Sequence, residues 1–197
     1  MAKEIWKPGN MLYPLPVVMV SLADRNGKYN IITIAWAGTV CTSPPMVSIS
    51  VRPERYSYSI LKETGEFVVN LTTSRLVRAA DYCGVKSGRD VDKFRELGLT
   101  PLQAGSVSAP LIGESPVNIE CRVKEIIPLG SHDLFLAQVE AVHADEQYMD
   151  ENRRFCLEKA RPVVYSHGAY LACGEQLGTF GYSIRKKPGN GRKRKGV

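Results

Sequence analysis

NIITIAWAGTVCTSPPMVSISVRPERYS (residues 30–57) reads as two apolar strands joined by a rigid Ser-Pro-Pro corner, then an arginine-rich turn and a helix start. Each proline fixes its own φ and restricts the residue before it, so Ser43-Pro44-Pro45 predicts an extended corner. From Met46 to Val51, apolar Val47, Ile49 and Val51 alternate with Ser48 and Ser50. That period marks a half-buried strand whose polar face looks toward a ligand. Arg52, Arg55 and Ser57 then fall within six residues, where the sheet gives way to a helix. Cationic forks, a hydroxyl and free helix-start N–H groups are what a phosphate needs. With Asn30, Thr33 and Trp36 on the preceding strand, the stretch suggests a site for a flat aromatic ligand that carries a phosphate. A flavin meets both demands.

Upstream, Leu15 to Leu22 is a β-branched run ending in the turn signal Asp24-Arg25-Asn26-Gly27. The β pattern resumes from Ile31 to Val40, which predicts a hairpin. Downstream come three short helices. The first starts near Ser57 and stops at Gly65; the second has Ser74 as N-cap and Gly84 as terminator; the third spans Asp90 to Gly98. Phe67 to Leu71 is a strand between the first two. The second half returns to β with Val117–Val123, a Pro128-Leu129-Gly130 turn and His132–Val142, then a helix over Glu151–Ala160 and a last strand over Pro162–Tyr165. Short strands with Gly and Pro turns and inserted helices predict a mainly β barrel or sandwich. Strands and helices do not alternate, and neither GxGxxG nor a P-loop is present, so a doubly wound α/β sheet is disfavoured.

The chain's 197 residues suffice for one well-filled core. Its net charge of +6 belongs to its end, because residues 185–197 (RKKPGNGRKRKGV) hold seven basic and no acidic side chains. Without them 19 Lys and Arg face 20 Asp and Glu, a body of about −1. The division is therefore a body over 1–184 and a basic, flexible tail over 185–197, whose deletion should leave the main function intact. The tail has no interleaved aromatics for stacking on bases, so nucleic acid is not the expected partner. No apolar run approaches the roughly 20 residues that span a bilayer, and MAKEIWKPGNMLYPLP lacks the apolar core of a secretory signal. The expectation is a cytoplasmic protein with no membrane contact. Five scattered cysteines without CxxC or Cys–His spacing argue against zinc and a disulfide framework. Cys41 lies close in sequence to the proposed site, and a buried structural thiol outweighs a reactive one there. The three histidines, His132, His143 and His167, sit in neither a GxSxG nor an HExxH context. Difficult chemistry would then rest on a bound cofactor.

NIITIAWAGTVCTSPP, VSISVRPERYSYSIL, GEFVVNL, SGRDVDKF and RPVVYSHGAY, in this order from about Pro14 to Ser183, resemble the flavin reductase-like family with the FMN-binding split-barrel fold. Within it the flavoredoxin branch is the nearest likeness. The resemblance implies a six-stranded split barrel with peripheral helices, non-covalent FMN and a homodimer whose interface helps form the flavin site. Matched residue by residue, it puts Asn30, Thr33, Ala35 and Trp36 beside the isoalloxazine. It puts Ser50, Val51, Arg52, Arg55 and Ser57 along the ribityl phosphate. Lys93 matches a lysine that neutralises the phosphate, and His132 a histidine near the ring. Tyr165 stands where phenylalanine is usual. Read alone, Trp36 would fill a core, Lys93 would be a surface lysine, and the two arginines would be solvated. His132 fits either an imidazolium that stabilises reduced flavin or an orienting hydrogen bond. No residue is identified as a catalytic acid or base.

The activity these readings imply is a flavin-dependent oxidoreductase taking hydride from NADH or NADPH, or single electrons from a redox partner protein. No separate dinucleotide fingerprint is visible, so a pyridine-nucleotide site would be shallow and built from loops. Two alternatives stand beside it. One is another split-barrel activity such as haem handling, which would need one of the three histidines as axial ligand. The other is a non-enzymatic nucleic-acid-binding module acting through the basic tail.

Overall fold

The computed structural model describes residues 1–185. Beyond Arg185, the tail predicted over 185–197 lies outside the described residues.

Among the described residues twelve strands and three α-helices follow one another: β1 Leu15–Pro16, β2 Val18–Ala23, β3 Tyr29–Ile34, β4 Ala37–Thr42, β5 Pro45–Val51, α1 Tyr56–Thr64, β6 Glu66–Leu71, α2 Val77–Val85, α3 Lys93–Leu97, β7 Pro101–Leu102, β8 Leu111–Ile112, β9 Val117–Pro128, β10 Asp133–Ala144, β11 Val163–Ser166 and β12 Ala169–Ala172. Seven strands form one sheet in the order β3-β2-β6-β9-β10-β5-β4, and every adjacent pair is antiparallel. The sheet curls into a split barrel, the fold that the sequence resemblance implies. The strand count differs from the expected six because the run Ile31–Val40 is two strands. It breaks at Ala35-Trp36, and the halves lie at opposite ends of the sheet order. That link brings the two ends of the sheet together: the Ser50 amide of β5 donates to the Trp36 carbonyl at 2.9 Å. No ladder joins β3 to β5, so the cylinder is left with a seam.

The barrel interior explains the alternation along its strands. Val18, Val20 and Leu22 of β2 meet Ile32 and Ile34 of β3, Ile49 and Val51 of β5, and Phe67 and Phe135, with Ile60 and Leu61 of α1 packed against them. The opposite face of β2 and β3 is covered as well. Met19 and Ile31 pack on Leu76, Ala80 and Cys83 around α2 and on Phe94 of α3. Burial on both faces is why β2 is apolar at every position but Ser21 rather than alternating.

Local departures from the sequence reading have identifiable causes. Ser43-Pro44 is the turn of a tight β4–β5 hairpin rather than an extended corner. The N-cap of α2 is Leu76, not Ser74, and Gly84 lies inside the helix facing Thr33 rather than ending it. Helix α3 begins only at Lys93, where the Asp92 carboxylate accepts from the Arg95 amide at 3.2 Å. No helix spans Glu151–Ala160: Asp150 Oδ1 binds the amides of Asn152 and Arg154 in a turn, and only Leu157–Ala160 forms a 3₁₀ turn. An aspartate that bonds nearby backbone competes with helix formation. The last strand has a partner, β12, reached through His167-Gly168, both at positive φ. Two such residues between strands make a hairpin turn whose twist matches the sheet.

Candidate functional site

The seam of the barrel is where a site can form. Among the described residues β3 has β2 as its only ladder partner, so its other edge keeps backbone groups outside any ladder, the Ile31 carbonyl being taken by Lys93. A cavity of about 240 Å³ lies along this edge, lined by Ile32–Trp36, Ser50–Arg52, Arg55 and His132. A second cavity of about 230 Å³ shares Ile32 and Arg55 with it and runs on past Ser57, Cys83, residues 86–89 and Lys93. Together they make an elongated cleft, one half flat-walled and the other cationic.

In the first half, Trp36 is 38% exposed and forms a wall rather than filling a core. Its ring centroid is 4.3 Å from that of His132, so two aromatic groups from opposite sides of the seam meet there. Burial, with Arg52 and Arg55 nearby, holds the His132 imidazole below its ordinary 6.5 despite the opposing pull of Glu54. The neutral ring is thereby favoured at neutral pH, which supports the orienting hydrogen bond over the imidazolium. Thr33 spends its hydroxyl proton on the Ala80 carbonyl at 2.5 Å, so its side chain keeps no proton to donate to a ligand. Val51 lines the same cavity while its side chain belongs to the barrel core.

The second half is built on the start of α1. Arg55 occupies the N-cap without a side-chain cap bond, and the first turn carries no acidic residue. The Tyr58 amide is taken by the Arg55 carbonyl at 2.9 Å, so the Tyr56 and Ser57 amides and the partial positive charge of the helix start remain for an anion. Ser57, in that turn, is 2% exposed, and its Oγ accepts from Asn30 Nδ2 at 2.8 Å. This puts Asn30 behind the cationic half of the cleft, beside Ser57, rather than among the residues lining the flat-walled half in which the family resemblance would place it. Lys93 is 3% exposed and no surface lysine: its Nζ donates to the Ile31 carbonyl at 2.6 Å and the Cys83 carbonyl at 2.8 Å. It ties β3 to α2 from beneath the cavity. Burial, and to a smaller degree the Arg55 charge, pull its pKa below the ordinary lysine value. The Cys83 thiol beside it is pushed up to about 11 by burial, with Lys93 pulling the other way, so it stays protonated.

Ser50, Arg52, Arg55 and Ala35 thus meet Trp36 and His132, while Arg55, Ser57 and Lys93 meet in the adjoining half. Tyr165 joins neither. On β11 it pairs with Leu15 of β1 and stacks edge-on with Tyr170 at 5.7 Å beside the second core cluster. Sequence reasoning missed the loop Lys86-Ser87-Gly88-Arg89, which closes the cationic half. The signal was present as a basic Ser-Gly turn just after a helix. Cys41, on β4, lines neither cavity.

A family profile described as "Flavin reductase like domain" matches residues 10–174. The chain belongs to the flavin reductase-like family. Flavoredoxin of Desulfovibrio vulgaris (Miyazaki F) superposes with a TM-score of 0.87 at 33% identity, covering 93% of this chain and all of that one. Flavoredoxin from Methanosarcina acetivorans gives 0.82 at 29% identity, again over 93% of this chain and the whole of the other. A relative from Aeropyrum pernix is 32% identical over 156 residues, 79% of this chain but only 58% of the relative's length. Membership makes this a flavin-related oxidoreductase domain, and the likeness to flavoredoxins read from its sequence motifs holds over nearly the whole fold. Among the described residues no helix is long and apolar enough to cross a membrane.

Proposed function

We propose that the chain is a cytoplasmic, homodimeric oxidoreductase that holds FMN non-covalently and passes reducing equivalents through it. The observation that carries this reading is the continuity of the cleft: free β-edge groups and Trp36 in one half, and an uncapped helix start with Ser57 and Arg55 in the other. The residues fit the group. Asn30 donates to Ser57 Oγ, which leaves the serine proton for a phosphate oxygen, and the cations around it suit a dianion. When bound, FMN would supply hydride acceptance at its ring and one-electron steps thereafter. The chain's own part is to hold and tune. The backbone of Thr33–Trp36 would meet the polar edge of the ring, Trp36 would limit one face, and neutral His132 would orient it. Arg55, Ser57 and the α1 start would anchor the phosphate, with Arg52 at the junction.

An opening of about 490 Å³ adjoins the flat-walled half, between the Gly9–Tyr13 segment and Trp36, Gly38, Ser48 and Ser50. No lysine or arginine lines it, so a nicotinamide entering here would leave its phosphates outside. A redox partner protein approaching the same opening is the other donor compatible with it. Homodimerisation is supported by large apolar side chains that find no cover among the described residues, among them Trp6, Leu12, Val40, Leu177, Phe180 and Ile184.

The test is the visible spectrum of the purified protein with FMN under anaerobic conditions. A yellow protein bleached by NADH or NADPH supports a reductase, and one bleached only by dithionite supports a carrier awaiting a protein donor. A protein that takes up no FMN overturns the proposal.

A further inference from the structure

We infer that Asn30 is a positioning residue that sets the direction of the Ser57 hydroxyl, and through it the preference for a phosphorylated over an unphosphorylated flavin. The inference rests on the reading of the cationic half as a phosphate site. Asn30 is 3% exposed, and its two terminal atoms have different fates. Nδ2 donates to Ser57 Oγ at 2.8 Å, whereas Oδ1 is buried with no hydrogen-bond partner among the described residues. It abuts Gly88, where an added Cβ would stand 2.1 Å from Oδ1. The bare α-carbon of Gly88 therefore seals the acceptor, and no residue with a side chain fits there unless Asn30 moves.

This arrangement determines which way the serine proton points. An amide turned by 180° would accept from Ser57 and bury an unpaired NH₂ against Gly88. A buried unpaired donor is rarer in folded proteins than a buried unpaired acceptor, and the turned amide would strand both protons of its NH₂. The amide is thus held with its nitrogen on Ser57. A hydroxyl oxygen that accepts from Asn30 presents its single proton to the cavity. A phosphate dianion has only acceptors, so it matches that proton. The terminal hydroxyl of riboflavin brings no charge to strengthen the bond.

The ratio of riboflavin Kd to FMN Kd, measured by fluorescence titration, tests this. In the unaltered protein FMN should bind far more tightly; equal affinities would remove the phosphate site itself, and the inference with it. Asn30→Leu frees the hydroxyl to turn, and should cut the preference for FMN by about tenfold while riboflavin affinity moves by less than about threefold. In a Ser57→Ala background the same substitution should change the preference by less than about twofold. A preserved preference in Asn30→Leu, an equal loss for both flavins, or additive effects with Ser57→Ala would each overturn the inference. Should Asn30→Leu fail to fold, Asn30→Asp is read the same way. Its carboxylate can only accept from Ser57, and a preference for FMN that survives it is the overturning result.

Discussion

Replacing Lys93 with methionine should separate a buried clamp from a surface lysine. The Nζ makes two charge-assisted bonds, to the carbonyls of Ile31 and Cys83, from a position 3% exposed. Bonds from a charged donor contribute about 1.5–3 kcal/mol each, and losing them strands two carbonyls. Against this stands relief from burying an ammonium group, while methionine keeps most of the apolar stem. The net expectation is a loss of about 2–4 kcal/mol, which for a chain of this size lowers Tm by roughly 5–15 °C. The pH dependence carries a sign. Lys93's folded pKa lies below 10.5, so the unfolded chain holds the proton more tightly. Stability referred to the neutral amine is full above 10.5 and is lost as pH falls through the folded pKa. Urea unfolding of both proteins from neutral to alkaline pH should therefore show a rising contribution in the unaltered protein that Lys93→Met lacks. A variant within about 0.5 kcal/mol of the parent, the range of an ordinary surface change, would refute the clamp.

Trp36→Ala should cost about 1–2 kcal/mol, well below the 3–5 typical of a core tryptophan, yet weaken FMN binding and shift the flavin spectrum; wholesale unfolding would return Trp36 to the core. Gly88→Ala forces a methyl to 2.1 Å from Asn30 Oδ1 and should cost about 1–3 kcal/mol with a clear loss of FMN affinity by titration. Glu120 is fully buried, and although burial raises its pKa, bonds from the Gly105 amide, His143 and the Ser106 amide outweigh this and hold it below 4.5. Its stabilisation is therefore present above pH 4.5 and lost as pH falls through the folded pKa, so the urea midpoint of Glu120→Gln should trail the parent at pH 7 and converge with it in acid.

The parts of this fold legible in the sequence are those that local chemistry determines. The alternation of Val47, Ile49 and Val51 with the serines gave β5, and the arginines and Ser57 marked the sheet-to-helix turn. The break at Ala35-Trp36 was hidden, because an apolar run keeps the same pattern whether it stays in one strand or crosses from one end of a sheet to the other. Composition also could not reveal that Lys93 faces inward, since only the docking of α3 on β3 turns a helix-start lysine into a buried donor. The role of Asn30 was out of reach for the same reason: it depends on Ser57 and Gly88, 27 residues and farther along the chain. Tyr165 shows the opposite limit, for a motif match gave it a place that the single chain does not.

The claim at the centre is that the cationic half of the seam holds the phosphate of a flavin. It is tested most directly by calorimetric titration of FMN into the unaltered protein and into Ser57→Ala. The account predicts saturable binding, weakened by about tenfold to a hundredfold in the variant as a charge-assisted bond is lost. Equal FMN affinity in the two proteins would contradict it.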